Sequence, residues 1–317
     1  SMHCCSNAAV MAVLVSVLLG LSSTGLGVAV SDAALNMSSS QLGSDVNTDA
    51  TLALPKYFWK EISTTGPTPD GRRQGHTAVA LDEFLIFFGG CKLNGECFND
   101  LQILDTTSVQ HSGVETMRWK TPIASFGSGT DALPEARGGH TSSLVGEKMY
   151  VFGGKFPSAL GGETGYLSDV YTLSHLELTS NWHALQNPAM QWDKMEHLGE
   201  QDLEPSLRGR EGHSAAVYED RYIYYFGGYA MGTEDAAEKD EAWMNDLLVL
   251  DTRAVNTNKA AWESITQPSG APPPREGHVA VVVEHKMFIF GGFGDGKSYQ
   301  DLHSFDLRAR GWEALNP

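Results

Sequence analysis

Arg73-Gln74-Gly75-His76 opens a stretch that runs through the apolar segment Thr77 to Phe88 and closes on Gly89-Gly90. The same phrase returns as Arg137-Gly138-Gly139-His140 ending at Gly153-Gly154, as Arg210-Glu211-Gly212-His213 ending at Gly227-Gly228, and as Arg275-Glu276-Gly277-His278 ending at Gly291-Gly292. From His to the first Gly of the doublet the steps are 13, 13, 14 and 13 residues. Four copies with so constant a spacing define a repeat architecture, in which each unit is one supersecondary element.

Downstream of each doublet a loop of variable length leads to an Asp and a short apolar segment: Asp100 to Asp105, Asp169 to Ser174, Asp246 to Asp251 and Asp301 to Asp306. Each unit then ends on a tryptophan, Trp119, Trp182, Trp262 or Trp312. Runs of five to seven residues rich in Val, Ile, Tyr and Phe predict four strands per unit, a to d, and no segment has helical length or period. The units span about residues 73–123, 137–186, 210–266 and 275–316, an all-β chain of four-stranded antiparallel blades. A glycine doublet at the end of strand b allows close backbone approach and positive φ. A Trp on strand d fills the gap between blades.

The Gly-Gly doublet after an apolar strand, the D-L-x-x-L-D segment and the spaced Trp resemble the kelch repeat of the galactose oxidase/kelch superfamily. The resemblance covers about four fifths of the chain, from Tyr57 to Pro317. It implies a β-propeller of radially arranged blades. Tyr57 to Ile62, with Trp59, reads as a further strand d that precedes the first R-x-G-H, although the last unit already carries its own strand d at Gly311 to Asn316. The reading is therefore four complete blades plus an orphan outer strand, an incomplete propeller belonging to a longer protein; the alternative is a small or irregular propeller.

Ahead of the repeats, Ala8 to Val30 carries no charge, a length that suits a secretory signal or a membrane anchor. Small residues at Ala29 to Ser31 offer a cleavage site and the polar break Ser22 to Thr24 interrupts a spanning helix, whereas no Lys or Arg precedes Ala8. Residues 1–30 thus read as signal peptide or anchor, and residues 31–55 as a flexible linker holding the sequon Asn36-Met37-Ser38. Cys91 and Cys97 flank the turn pair Asn94-Gly95, so they form a hairpin disulfide or remain two free thiols. A disulfide would suit the secretory pathway or an extracellular site; the alternative is cytoplasmic.

With 22 basic against 39 acidic residues, the formal charge of −17 disfavours a nucleic-acid backbone as ligand. At 41% hydrophobic and 19% charged, the chain can bury a large core and is no disordered acidic tail. The repeated Arg and His tempt a catalytic or metal reading. A metal, however, needs ligands within about 2.1 Å of one point, and histidines related by rotation about a propeller axis diverge. Arg73, His76, Arg137, His140, Arg210, His213, Arg275 and His278 are therefore read as structural, as are the glycine doublets and the four Trp. No cofactor or metal is assigned.

Enzymes among propellers resembling kelch need further features. Copper-radical oxidases need a Tyr-Cys crosslink, a second Tyr and two His, and the only cysteines beyond the leader are a close pair. The iron-ligand run of plant specifier proteins fails, because Ala189 stands where its Glu belongs ahead of Asp193 and His197. The long b–c and d–a connections on one face are the better candidates for function. Tyr229 to Asn245 offers Tyr229, Met231, Trp243, Glu234 and Asp235, and His183 to Gly209 offers Trp192 and Met195. Acidic loops bearing aromatic and Met residues suit a protein partner with a basic surface. The leading expectation is a non-catalytic interaction module; the alternative is an enzyme or carbohydrate-binding propeller with a site near the axis. Membrane contact would require residues 8–30 as an uncleaved anchor.

Overall fold

Each glycine-ended apolar run becomes the second strand of a blade, hydrogen-bonded on one side to the strand after R-x-G-H and on the other to the strand after Asp. The computed structural model describes residues 61–69, 71–111, 114–122, 124–126, 133–156, 165–174, 176, 190–197, 207–230, 242–253, 259–266 and 269–315. All regular structure among them is β. Residues 1–55, Tyr57 to Lys60 and Trp182, and with them the signal, linker and most of the orphan strand, lie outside the described residues.

Blade 1 begins after an added edge strand β1 (Ser63–Thr65) and consists of β2 (Thr77–Leu81), β3 (Phe84–Phe88), β4 (Leu101–His111) and β5 (Val114–Lys120). Blade 2 is preceded by β6 (Ala124–Phe126) and contains β7 (Thr141–Val145), β8 (Lys148–Phe152), β11 (Val170–Ser174) and β12 (Met190–His197), with a small hairpin β9 (Lys155–Phe156) and β10 (Gly165–Tyr166) between its b and c strands. Blade 3 opens on β13 (Arg210–Glu211) and contains β14 (Ser214–Tyr218), β15 (Tyr222–Ala230), β16 (Ala242–Asp251) and β17 (Lys259–Ile265). Blade 4 contains β18 (Val279–Val283), β19 (Lys286–Phe290), β22 (Leu302–Asp306) and β23 (Gly311–Ala314), with hairpin β20 (Phe293–Gly294) and β21 (Lys297–Ser298). Within each blade the four strands pair antiparallel in the order a-b-c-d. The a–b connections are tight, with positive φ at Asp82, Gly146, Glu219, Asp220 and Glu284.

Two outer-edge assignments differ from the sequence reading. The outer strand of blade 2 is Met190–His197, past the anticipated boundary at 186, and Trp192 takes the Trp position by pairing opposite Leu173. The orphan strand was anticipated through Ile62, whereas Glu61 and Ile62 are exposed and the strand is Ser63–Thr65, parallel to β5 on the rim of blade 1. The β6 strand stands in the same parallel relation to β12. The link leaving the outer strand of blade 1 thus runs along the outer strand of blade 2.

Three joints between successive blades repeat one pattern. The amides of Gly139, Gly212 and Gly277 donate to the carbonyls of Gly75, Gly139 and Gly212 at 2.9, 2.9 and 2.8 Å. The second glycine of each doublet, Gly90, Gly154 or Gly228, donates to the carbonyl of Arg137, Arg210 or Arg275 in the following blade at 2.8 to 2.9 Å. This closeness requires glycine: at Gly153 φ is +68° and an added Cβ would stand 2.8 Å from the Arg210 carbonyl. Aromatic side chains fill the joints, with Trp192 against Phe88, Trp262 against Phe152 and Trp312 against Phe226 at ring separations of 5.0, 5.1 and 5.3 Å. The cores therefore lie between blades, where sheets stack face to face.

Candidate binding face

The repeated Arg is consumed by the fold. Arg137, Arg210 and Arg275 are fully buried, and each guanidinium forks onto an Asp of strand c or directly before it: Asp169 at 2.6 and 3.2 Å, Asp246 within β16 at 2.8 and 2.9 Å, Asp301 at 2.6 and 2.8 Å. Arg73 pairs with Asp100 in the same way. The same Nη1 also donates to the carbonyl of the first doublet glycine, Gly89, Gly153, Gly227 or Gly291, at 2.8 to 3.1 Å. Such planar, bidentate pairing satisfies a buried charge and ties strand a to the b–c corner. The Arg275 hydrogen bonds hold the Asp301 carboxyl down to about 2 against the opposing effect of its burial.

The repeated His is consumed by the joint. The ring Nε2 of His140, His213 and His278 lies 2.8, 2.9 and 2.8 Å from the hydroxyl of Thr77, Thr141 and Ser214 on the preceding blade. Each ring stands edge-on to Phe88, Phe152 or Phe226. Burial, reinforced by the neighbouring Arg, lowers all three pKa values, that of His278 to about 3. Among the described residues no three His, Cys, Asp or Glu gather in a metal-binding group.

One residue further along, the chain turns outward onto the loop face. The residue after each doublet, Cys91, Lys155, Tyr229 or Phe293, bridges antiparallel to the second residue of R-x-G-H, which is Gln74, Gly138, Glu211 or Glu276. These four pairs stand one per blade around the mouth of the propeller. Tyr229 and Trp243 oppose each other on β15 and β16, 5.4 Å apart, so the b–c connection of blade 3 continues as paired strand up to Ala230 and Ala242. Tyr166 of blade 2 meets Tyr229 at 5.9 Å, and Trp243 meets Phe293 of blade 4 at 5.7 Å. The Trp243 indole donates to Glu276 at 3.1 Å, and Lys155 pairs with Glu211 at 2.9 Å. A half-buried band of four aromatic rings flanked by two carboxylates thus crosses blades 2, 3 and 4.

The sequence reading and this face overlap in part. Tyr229 and Trp243 belong to it, while Met231, Glu234 and Asp235 lie outside the described residues. Trp192 and Met195 do not belong: they are 2% and 6% exposed, and Trp192 fills the joint between blades 1 and 2. Their assignment to a surface loop is corrected because β12 lies within the span read as a d–a connection. Missed entirely were Tyr166, Glu211, Glu276 and Phe293. Glu211 and Glu276 occupy the one variable position inside an otherwise constant R-x-G-H and Phe293 directly follows a Gly-Gly, whereas Tyr166 stands at neither place. Cys91 and Cys97 are joined as a disulfide that closes the b–c loop of blade 1 beside Gly138. On the opposite face a shallow groove between blades 3 and 4 is lined by Tyr218, Glu219, Val282, Glu284, His285 and Arg308, of mixed charge.

The KLHDC2/KLHL20/DRC7 Kelch-repeats domain profile matches residues 38–253 and 177–317. Host cell factor of Drosophila melanogaster is 27% identical over 267 residues, which is 82% of this chain and 15% of that protein. Acyl-CoA-binding domain-containing protein 4 of Arabidopsis thaliana is 26% identical over 288 residues, 76% of this chain and 37% of that protein. Kelch domain-containing protein 3 of Bos taurus is 26% identical over 268 residues, 82% of this chain and 60% of that protein. The chain therefore spans less than two thirds of these relatives. The solved structure of YjhT superposes with a TM-score of 0.52 at 18% identity, covering 79% of this chain and 67% of that one, a likeness of fold.

Proposed function

Because this chain belongs to the kelch-repeat β-propeller family, we propose that it is a non-catalytic interaction module that receives a basic protein surface on the face bearing Tyr229, Trp243 and Phe293. The observation that carries this reading is the aromatic band with its carboxylates. Lys and Arg side chains of a partner gain both ring-face and carboxylate contacts there, and the aromatic area supplies most of the affinity. The overall charge of −17 favours encounter with such a partner and disfavours nucleic acid. Engagement of the buried Arg and His in blade packing supports a scaffold over an enzyme.

The disulfide and the Asn36 sequon support a setting in the secretory pathway. Mass measurement of protein from its native source would show a processed N-terminus and no free thiol at Cys91; an intact leader with two alkylated thiols would contradict that placement.

Recovery of partners on the immobilised chain, with Trp243→Ala and removal of residues 231–241 as variants, tests the binding face. The native chain should retain a partner whose recovery falls with salt, and both variants should lose it at least tenfold while keeping a cooperative unfolding transition. Unchanged recovery with both variants would rule this face out.

A further inference from the structure

The mouth repeats one arrangement at two successive joints, and the chain supplies a cation to only one of them. In blade 2 Lys155, which follows the glycine doublet, pairs across β9 and β10 with Tyr166; in blade 3 the same two places hold Tyr229 and Trp243. Each pair reaches a carboxylate of the next blade, Lys155 bonding Glu211 and Trp243 bonding Glu276. The two carboxylates are equivalent in place as well as in sequence. Both hold the second position of R-x-G-H, and a Cβ added to Gly139 would stand 2.9 Å from Glu211 Oε2, one added to Gly212 3.1 Å from Glu276 Oε2.

At Glu211 the chain completes the arrangement itself, with Lys155 Nζ 2.9 Å from Oε1. At Glu276 the residue in the place of Lys155 is the uncharged Tyr229, and Oε1 accepts the neutral Trp243 indole N–H at 3.1 Å. Among the described residues no Lys or Arg pairs with Glu276. An incoming ammonium would supply the charge-assisted hydrogen bond that its twin already has. The remaining geometry selects the kind of cation. Where this chain uses a guanidinium, as in Arg210 on Asp246, both carboxylate oxygens take part, at 2.8 and 2.9 Å. With Oε1 of Glu276 engaged by the indole, Oε2 suits a single point charge on a slender stem, which is lysine. Trp243 and Phe293, 5.7 Å apart and inclined at 70°, offer ring surface to that stem.

We propose that Glu276, with Trp243 and Phe293, seats one lysine side chain of the partner, whose ammonium takes at the joint of blades 3 and 4 the place that Lys155 holds at the joint of blades 2 and 3. This rests on the reading of the loop face as the receiver of a basic protein surface, and it adds the residue that engages the partner's charge.

Titration of the isotope-labelled chain with Nα-acetyl-lysine methylamide, followed by NMR at the Trp243 indole N–H, tests the seat without a partner. The native chain should show a saturable shift, and Glu276→Gln, which keeps an acceptor for the indole, should weaken binding at least about tenfold. Lys155→Met, which vacates Glu211, should add a second saturable set of shifts at the Glu211 amide. Nα-acetyl-arginine methylamide and the free α-amine of dialanine amide should bind more weakly than the lysine probe. Tighter binding of either, unaltered affinity in Glu276→Gln, or no saturable shift in the native chain would each overturn the proposal. Recovery of the partner separates the two readings. Recovery lost with Trp243→Ala but unchanged with Glu276→Gln would uphold the face and overturn the lysine seat, whereas recovery unchanged with both loop-face variants would remove the face and the seat with it.

Discussion

An imidazole buried at every joint couples the packing of this propeller to pH. His278 has its pKa lowered from 6.5 to about 3, chiefly by burial, so between those values the unfolded chain binds a proton that the folded chain refuses. Its contribution is complete above about pH 6.5 and is lost as the pH falls toward 3, by about 2 kcal/mol at pH 5. His140 and His213 act in the same direction. The unfolding midpoint should therefore drop steeply between pH 7 and pH 5, and His278→Gln should flatten that dependence while lowering the midpoint at pH 7; a slope unaltered by the substitution would remove this joint from the explanation. Arg210→Met should cost about 3 to 5 kcal/mol in denaturant unfolding, because Asp246 is left without its fork. The sequence showed that Arg and His recur but not what they touch. Arg partners lie 27, 32, 36 and 26 residues away across loops of unequal length, and His partners belong to another blade.

At the scale of strands, the joint explains why the outer-strand Trp must lie opposite the Phe before each doublet. Trp192→Ala should destabilise by about 3 to 5 kcal/mol, as expected for emptying the space of a large buried aromatic, and urea unfolding measures it directly. A cost below about 1 kcal/mol would restore Trp192 to the surface. Strands a, b and c were legible because the doublet, the R-x-G-H phrase and the Asp pin their ends within a few residues. The outer strand has no such pin, since its start depends on a c–d connection of free length. In blade 2 that connection runs from Ser174 to Met190, and it set Trp182 and Trp192 as rivals that spacing alone could not separate. The same freedom hid β1 and β6, each three residues long and paired parallel to an outer strand, β5 and β12 respectively.

For the whole molecule, repetition builds the rigid body and departures from repetition mark its working face. Constant residues sit inside the blades or joints; the varied ones, Glu211, Glu276, Lys155, Tyr229 and Phe293, emerge together around the mouth. Sequence spacing announced the propeller and pointed to the b–c connections, but only the circular arrangement brings rings from three blades into one band. Oxidative footprinting of the chain alone and with its recovered partner tests that assignment most directly. Binding should protect Tyr229, Trp243 and Phe293 and leave Tyr218 and His285 on the opposite face as reactive as before. Protection at Tyr218 and His285, with the aromatic band still reactive, would contradict it.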